Sequence, residues 1–91
     1  MMSRIDRFAW TAHADQRLGQ RGLTKDRVER AIQTLHPIRE QNEGNAEWRV
    51  DAGTFVVIYD HPHRDEPSTA RIVSLWIKHR PYRRGPEDYS E

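Results

Sequence analysis

Thr11-Ala12-His13-Ala14-Asp15-Gln16-Arg17-Leu18-Gly19-Gln20-Arg21-Gly22-Leu23-Thr24 is the stretch on which the reading of this chain turns. It carries the punctuation of one helix closing and a second opening. Thr11 or Ala12 stands near the start of the first helix, which the spacing predicts from about His13 to Arg21. Gly22 falls where a helix ends in a left-handed cap. Thr24 is a good N-cap for the next helix, and Asp26 in the first turn complements the helix dipole. That second helix presents Val28, Ala31, Ile32 and Leu35 as an amphipathic stripe. Pro37 closes it and biases His36 towards extended backbone.

Working outward, residues 1–7 are polar, and Phe8 to Thr11 reads as short extended or turn-like chain. Beyond Pro37 the hydrophobic period changes from helical to two. Pro37 to Gln41 predicts a short edge strand, Asn42-Glu43-Gly44-Asn45 a turn, and Glu47 to Val50 a strand. Asp51-Ala52-Gly53 is a hairpin connection into Thr54 to Asp60, a continuous apolar run that suits a central strand. A polar loop from His61 to Thr69 leads to a last strand, Ala70 to His79, with Val73, Leu75 and Ile77 expected on one face and Ile72, Ser74 and Trp76 on the other. Helices followed by a meander predict an α+β fold: two N-terminal helices packed on one face of a three- to four-stranded, mainly antiparallel curved sheet. Residues 1–84 form one domain, and residues 85–91 read as a charged tail.

Ninety-one residues, 35% hydrophobic and 32% charged, make a single domain with a small core, the kind that often dimerises. There is no cysteine, which removes disulfides and thiolate metal sites and fits a reducing cytoplasm. No apolar leader or membrane-spanning run is expected. Net charge is +1 but uneven: +3 over residues 1–35, −4 over 36–70 and +2 over 71–91. Thirteen of the fifteen cations are Arg, whose planar fork suits phosphate.

Two segments could carry chemistry. Read as a helix, the opening stretch puts His13, Arg17 and Arg21 at i, i+4 and i+8, a row about 80° wide. An imidazole in line with two permanent cations meets the needs of metal-free RNA cleavage, in which a base takes the 2′-hydroxyl proton and cations hold the phosphoryl oxygens. The plainer alternative is a helix-start histidine beside solvated arginines. The second segment is Lys78-His79-Arg80-Pro81-Tyr82-Arg83-Arg84, where Tyr82 among cations could stack on a base while Lys78, Arg80, Arg83 and Arg84 bind the backbone. Its alternative is a basic tail. His61-Pro62-His63 beside Asp60 and Asp65 lacks metal-ligand spacing, so neither metal nor cofactor is expected.

The first half resembles a family of small bacterial proteins of uncharacterised function that share a segment like T-x-H-A-x-x-R-x-x-x-R-G-[IL]. Here Thr11, His13, Ala14, Arg17, Arg21, Gly22 and Leu23 match it. The amphipathic helix with Val28, Ala31 and Ile32 follows, then the strand Phe55-Val56-Val57-Ile58-Tyr59 and a closing strand at Ile72 to Ile77, so the likeness covers about residues 8–78. That family is similar to the RelE/ParE toxins and to the barnase–EndoU–colicin–RelE group of small ribonucleases. The resemblance implies metal-independent endoribonuclease activity in the cytoplasm, often on ribosome-bound mRNA, with an antitoxin protein as partner. It places His13, Arg17 and Arg21 at the family's polar motif, and Arg80 and Tyr82 at loosely matching C-terminal positions. RelE proteins themselves lack the His-Ala-x-x-Arg motif, so a shared fold does not by itself carry over their active site.

Two other classes compete. A non-catalytic nucleic-acid-binding module would use the helix–Gly-Leu-Thr–helix segment as a helix-turn-helix, with Lys25, Arg27 and Arg30 on DNA. An inactive toxin relative would serve as a protein-interaction module, pairing with a partner or a second copy of itself.

Overall fold

The structure, a computed structural model, describes residues 5–78. Its elements are β1 (Arg7–Trp10), α1 (Ala12–Arg21), α2 (Lys25–Leu35), a 3-10 turn (His36–Ile38), β2 (Glu40–Gln41), β3 (Trp48–Asp51), β4 (Phe55–Asp60) and β5 (Thr69–Ile77). The class is α+β as expected, but the sheet has five strands in the order β1-β5-β4-β3-β2 and is mixed. The extra strand is the segment expected to be merely extended: β1 pairs parallel with β5, Arg7 opposite Thr69 through Trp10 opposite Ile72. The other pairings are antiparallel, and β4 lies at the centre.

The helix ends follow from local chemistry. Thr11 Oγ1 accepts the Ala14 N–H at 3.1 Å, and Thr24 Oγ1 accepts the Arg27 N–H at 3.2 Å. Each satisfies one donor that the first turn leaves orphaned. Gly22 sits at φ 68°, so the N–H groups of Gly22 and Leu23 return to the carbonyls of Gly19 and Leu18. Between β3 and β4, Gly53 takes φ 92° while its N–H donates to Asp51 Oδ1 at 2.8 Å.

His36 departs from expectation. It keeps helical backbone at φ −52°, its N–H closing on the Ile32 carbonyl, and Pro37 enters a 3-10 turn rather than a strand. A first-turn proline needs no N–H of its own, which is why the turn tolerates it.

The core lies between the helices and one face of the sheet. Ala14 and Leu18 of α1 and Val28 and Ile32 of α2 cluster with Val50, Phe55, Val57, Tyr59, Ala70, Ile72 and Leu75. Burying side chains such as Ile32 and Leu75 contributes about 1.5–3 kcal/mol each. Ile72 and Leu75 share that face because the register between β4 and β5 shifts at Ile58/Tyr59. Strict alternation along β5 therefore fails at Val73, and Ile72 joins the core instead of opposing Leu75.

Candidate functional site

β1 covers only the first half of the outer edge of β5, and α1 takes over where it stops. Thr11 N–H donates to the Ile72 carbonyl at 3.2 Å and Thr11 Oγ1 to the Val73 carbonyl at 3.0 Å. One and a half turns on, Arg17 Nε donates to the Leu75 carbonyl at 3.2 Å. The helix thus runs alongside β5 in the same direction and satisfies the Val73 and Leu75 carbonyls beyond the last β1 pair, so the sheet edge closes without a further strand.

This seam places the predicted row. Helix geometry puts His13 about 100° from the buried Ala14, Arg17 about 60° and Arg21 about 20°. The row accordingly drifts from open solvent towards the sheet. His13 is exposed, Arg17 is half-buried on the strand, and Arg21 is exposed because the helix ends there. The bond to Leu75 uses one of the five guanidinium N–H donors of Arg17. Four residues of rise separate each member from the next, about 6 Å. Because α1 and β5 run together, the Arg21 end of the row lies towards the end of β5, where Lys78 begins the basic segment. Lys78 itself is tied into the adjacent turn: its N–H donates to the Thr54 carbonyl and its ammonium to Asp51 Oδ2, at 3.0 and 2.9 Å. That ion pair, with the Gly53 N–H, holds the Asp51 carboxyl below its usual range. Arg80, Tyr82, Arg83 and Arg84 lie outside the described residues.

A second polar cluster, at the opposite end of β4, joins residues that the sequence does not link to one another. His36 Nδ1 lies 2.6 Å from the Tyr59 hydroxyl, and the His36 ring meets the His61 ring edge-on with centroids 4.7 Å apart. His61 Nε2 lies 2.7 Å from the Pro67 carbonyl, and the Trp48 indole N–H donates to the His61 carbonyl. The Arg39 guanidinium stacks 4.2 Å above the Trp48 ring and donates from Nη1 to the His36 carbonyl. Burial, then the charges of Arg39 and His61, lower the His36 pKa from 6.5 to about 4. Burial also pushes the Tyr59 phenol above its ordinary value. The phenol therefore keeps its proton and donates it to neutral His36 Nδ1. The Nδ1 lone pair is committed to the core, so this imidazole is a spacer between Tyr59 and His61 rather than a free base. The residues come from three separated segments, and the one local hint is that His36 and His61 each precede a proline at the end of an element.

Several cations elsewhere are matched. Arg49 pairs with Glu40 at 3.9 Å and Arg71 with Asp60 at 3.4 Å, each across neighbouring strands. On α2, Lys25 lies 3.6 Å from Asp15, Arg30 lies 3.2 Å from Asp26, and Arg27 donates to Thr54 Oγ1. Of the three cations of the helix-turn-helix reading, Lys25 and Arg30 lie in exposed ion pairs and Arg27 bonds a hydroxyl, while α2 lies with its stripe against the sheet. Among the described residues no three His, Cys, Asp or Glu side chains are grouped to hold a metal, and no helix is long and apolar enough to cross a membrane. Compared with known families, curated proteins and solved structures, the chain matches none.

Proposed function

We propose that this chain is a metal-independent endoribonuclease of toxin type, acting through the exposed row on α1. The observation that carries the reading is the seam itself. Arg17 is fixed by the Leu75 carbonyl between an exposed His13 and an exposed Arg21, on a helix running with β5 towards the basic segment that begins at Lys78. A row held at its middle and open at both ends is preorganised for an extended anion.

In this reading His13 takes the proton of a 2′-hydroxyl, the freed oxygen attacks the neighbouring phosphorus, and the 5′-oxygen leaves with a proton returned to it. Arg17 and Arg21 hold the non-bridging oxygens as charge grows on them. In this reading Tyr82 assists, Arg80, Arg83 and Arg84 bind the RNA backbone, and Lys78 joins them by exchanging Asp51 for a phosphate. The likeness to RelE/ParE-type toxins supports an RNA substrate, ribosome-bound mRNA included, and a protein antitoxin.

The test is cleavage of a single-stranded RNA in the presence of EDTA, followed by the termini of the products. Wild-type chain is expected to leave 2′,3′-cyclic phosphates, and His13→Ala to reduce the rate by about two orders of magnitude or more. Full activity in His13→Ala removes the row from the mechanism. Salt-sensitive RNA binding without cleavage by wild type would leave the non-catalytic module standing.

A further inference from the structure

A groove of about 400 Å³ opens between α2 and the β3–β4 turn, on a different part of the surface from the α1 row. Its lining divides by chemistry. Ala31, Leu35, Ala52 and Phe55 give it apolar walls, while Arg27, Arg30, Thr34 and Asp51 bound it with polar groups. Two positions of that boundary, Asp51 and Thr34, are already satisfied or neutral, and the two guanidinium groups are not. The Asp51 carboxylate accepts from Lys78 and from the Gly53 N–H, so it opposes an incoming anion weakly. Thr34 is uncharged. Arg30 is held only by Asp26, in a pair whose side chains are 74% and 75% exposed, and such a pair is worth a few tenths of a kcal/mol at most. Arg27 has no carboxylate partner among the described residues. The groove therefore combines an apolar interior with guanidinium groups free to re-pair.

We propose that this groove docks a segment of a partner protein that carries apolar side chains flanked by carboxylates. Charge complementarity selects the carboxylates, and the walls select the apolar groups. They also argue against a nucleobase. Phe55 is 2% exposed and Arg27 already lies 5.6 Å over its ring, so no aromatic face is open for stacking. What remains are the aliphatic groups of Ala31, Leu35 and Ala52, which suit a Leu or Ile side chain. Ile38, three residues past Leu35 and 72% exposed, is the exposed large hydrophobic residue of the described chain and lies on the turn that follows this helix. The proposal does not depend on the ribonuclease reading, because it uses none of His13, Arg17 or Arg21.

The probe is a fluorescein-labelled synthetic helix-forming peptide of Leu, Ala and Glu, with Leu at i, i+4 and i+7 and Glu on its flanks. It is titrated into the full chain by fluorescence anisotropy, beside the same peptide with Lys for Glu and a single-stranded RNA 12-mer. The acidic peptide is expected to bind and the Lys peptide not to. Arg27→Glu with Arg30→Glu is expected to weaken the acidic peptide by roughly tenfold or more and to permit the Lys peptide. Thr34→Trp, at an exposed position, is expected to block both. Circular dichroism confirms that each variant is folded. The proposal is overturned by an acidic peptide that fails to bind wild type or that binds the charge-reversed variant equally well. It is also overturned by RNA that competes for the groove and is lost with Thr34→Trp, or by sedimentation showing a wild-type dimer that Thr34→Trp dissolves. Loss of RNA cleavage in His13→Ala leaves all of these readings unchanged.

Discussion

The two ends of this fold hold nearly the same chemical groups in opposite states. Around Tyr59 an imidazole, a second imidazole, a guanidinium and an indole are bonded to one another or to backbone carbonyls. Along α1 an imidazole and two guanidinium groups stand in a row with one anchoring bond, from Arg17 to Leu75. The difference teaches what a cluster of functional groups signifies. A histidine whose pKa is driven to about 4 by burial and neighbouring charge attracts attention as a perturbed group, yet its lone pair is spent on a core hydroxyl. The exposed row has fewer bonds and therefore more capacity for a ligand. The first region should answer to stability measurements and the second to activity measurements.

The largest expected effect breaks or keeps that division outright. Tyr59→Ala removes a fully buried ring and leaves a cavity between α2 and the sheet, and should cost about 3–5 kcal/mol in urea unfolding. His13→Ala, at an exposed position, should stay within about 0.5 kcal/mol of wild type while RNA cleavage falls. A His13→Ala variant as destabilised as Tyr59→Ala would make the row structural and erase the distinction.

The next effect is a pH dependence confined to the first region. His36 titrates at about 4 when folded and near 6.5 when unfolded, so the unfolded chain takes up its proton first as pH falls. Stability contributed by the neutral ring is whole above pH 6.5, declines as pH drops through 6.5 towards 4, and is gone below that. The groups facing the ring are Tyr59, Arg39 and His61. The full shift corresponds to about 3 kcal/mol, and partial solvation of the ring reduces it to on the order of 1 kcal/mol. Chemical denaturation at pH 7 and pH 4.5 should show this loss in wild type and a smaller one in His36→Gln. Equal slopes in the two proteins would remove His36 from the account.

These contrasts also explain which parts of the molecule the sequence could reveal. Caps are local, so Thr11, Gly22 and Thr24 marked both helices within a residue of their observed ends. The apolar run of β4 and the Asp51–Gly53 turn were legible for the same reason. The pairing of β1 was not, because four residues become a strand only through a partner some sixty positions away. The faces of β5 were misassigned because the shift at Ile58/Tyr59 depends on how two strands fit, which alternation within one strand does not encode. The Tyr59 cluster was hidden because His36 and Tyr59 stand 23 positions apart on different elements. The α1 row was legible because helical spacing alone sets it, but its anchor on Leu75 was not.

Arg17 carries the sharpest test because it belongs to both regions' logic. Its Nε bond to Leu75 is a structural hydrogen bond of a charged donor on a sheet edge, and its position in the row is the proposed phosphate site. Arg17→Met keeps much of the apolar stem and removes the bond, leaving the Leu75 carbonyl to solvent, so it should cost about 1 kcal/mol. Arg21→Met breaks no such bond and should be silent in unfolding, yet both variants should slow RNA cleavage. Arg17→Lys separates the two contributions further. It restores the positive charge, but its three donors sit on a single nitrogen and it lacks the fork that lets Nε hold the Leu75 carbonyl while the Nη groups hold a phosphate, so stability can recover only at the expense of cleavage. If Arg17→Lys regains wild-type stability and wild-type cleavage together, the anchor and the phosphate site are independent, and the seam is a convenience of the fold rather than the reason the row is held open.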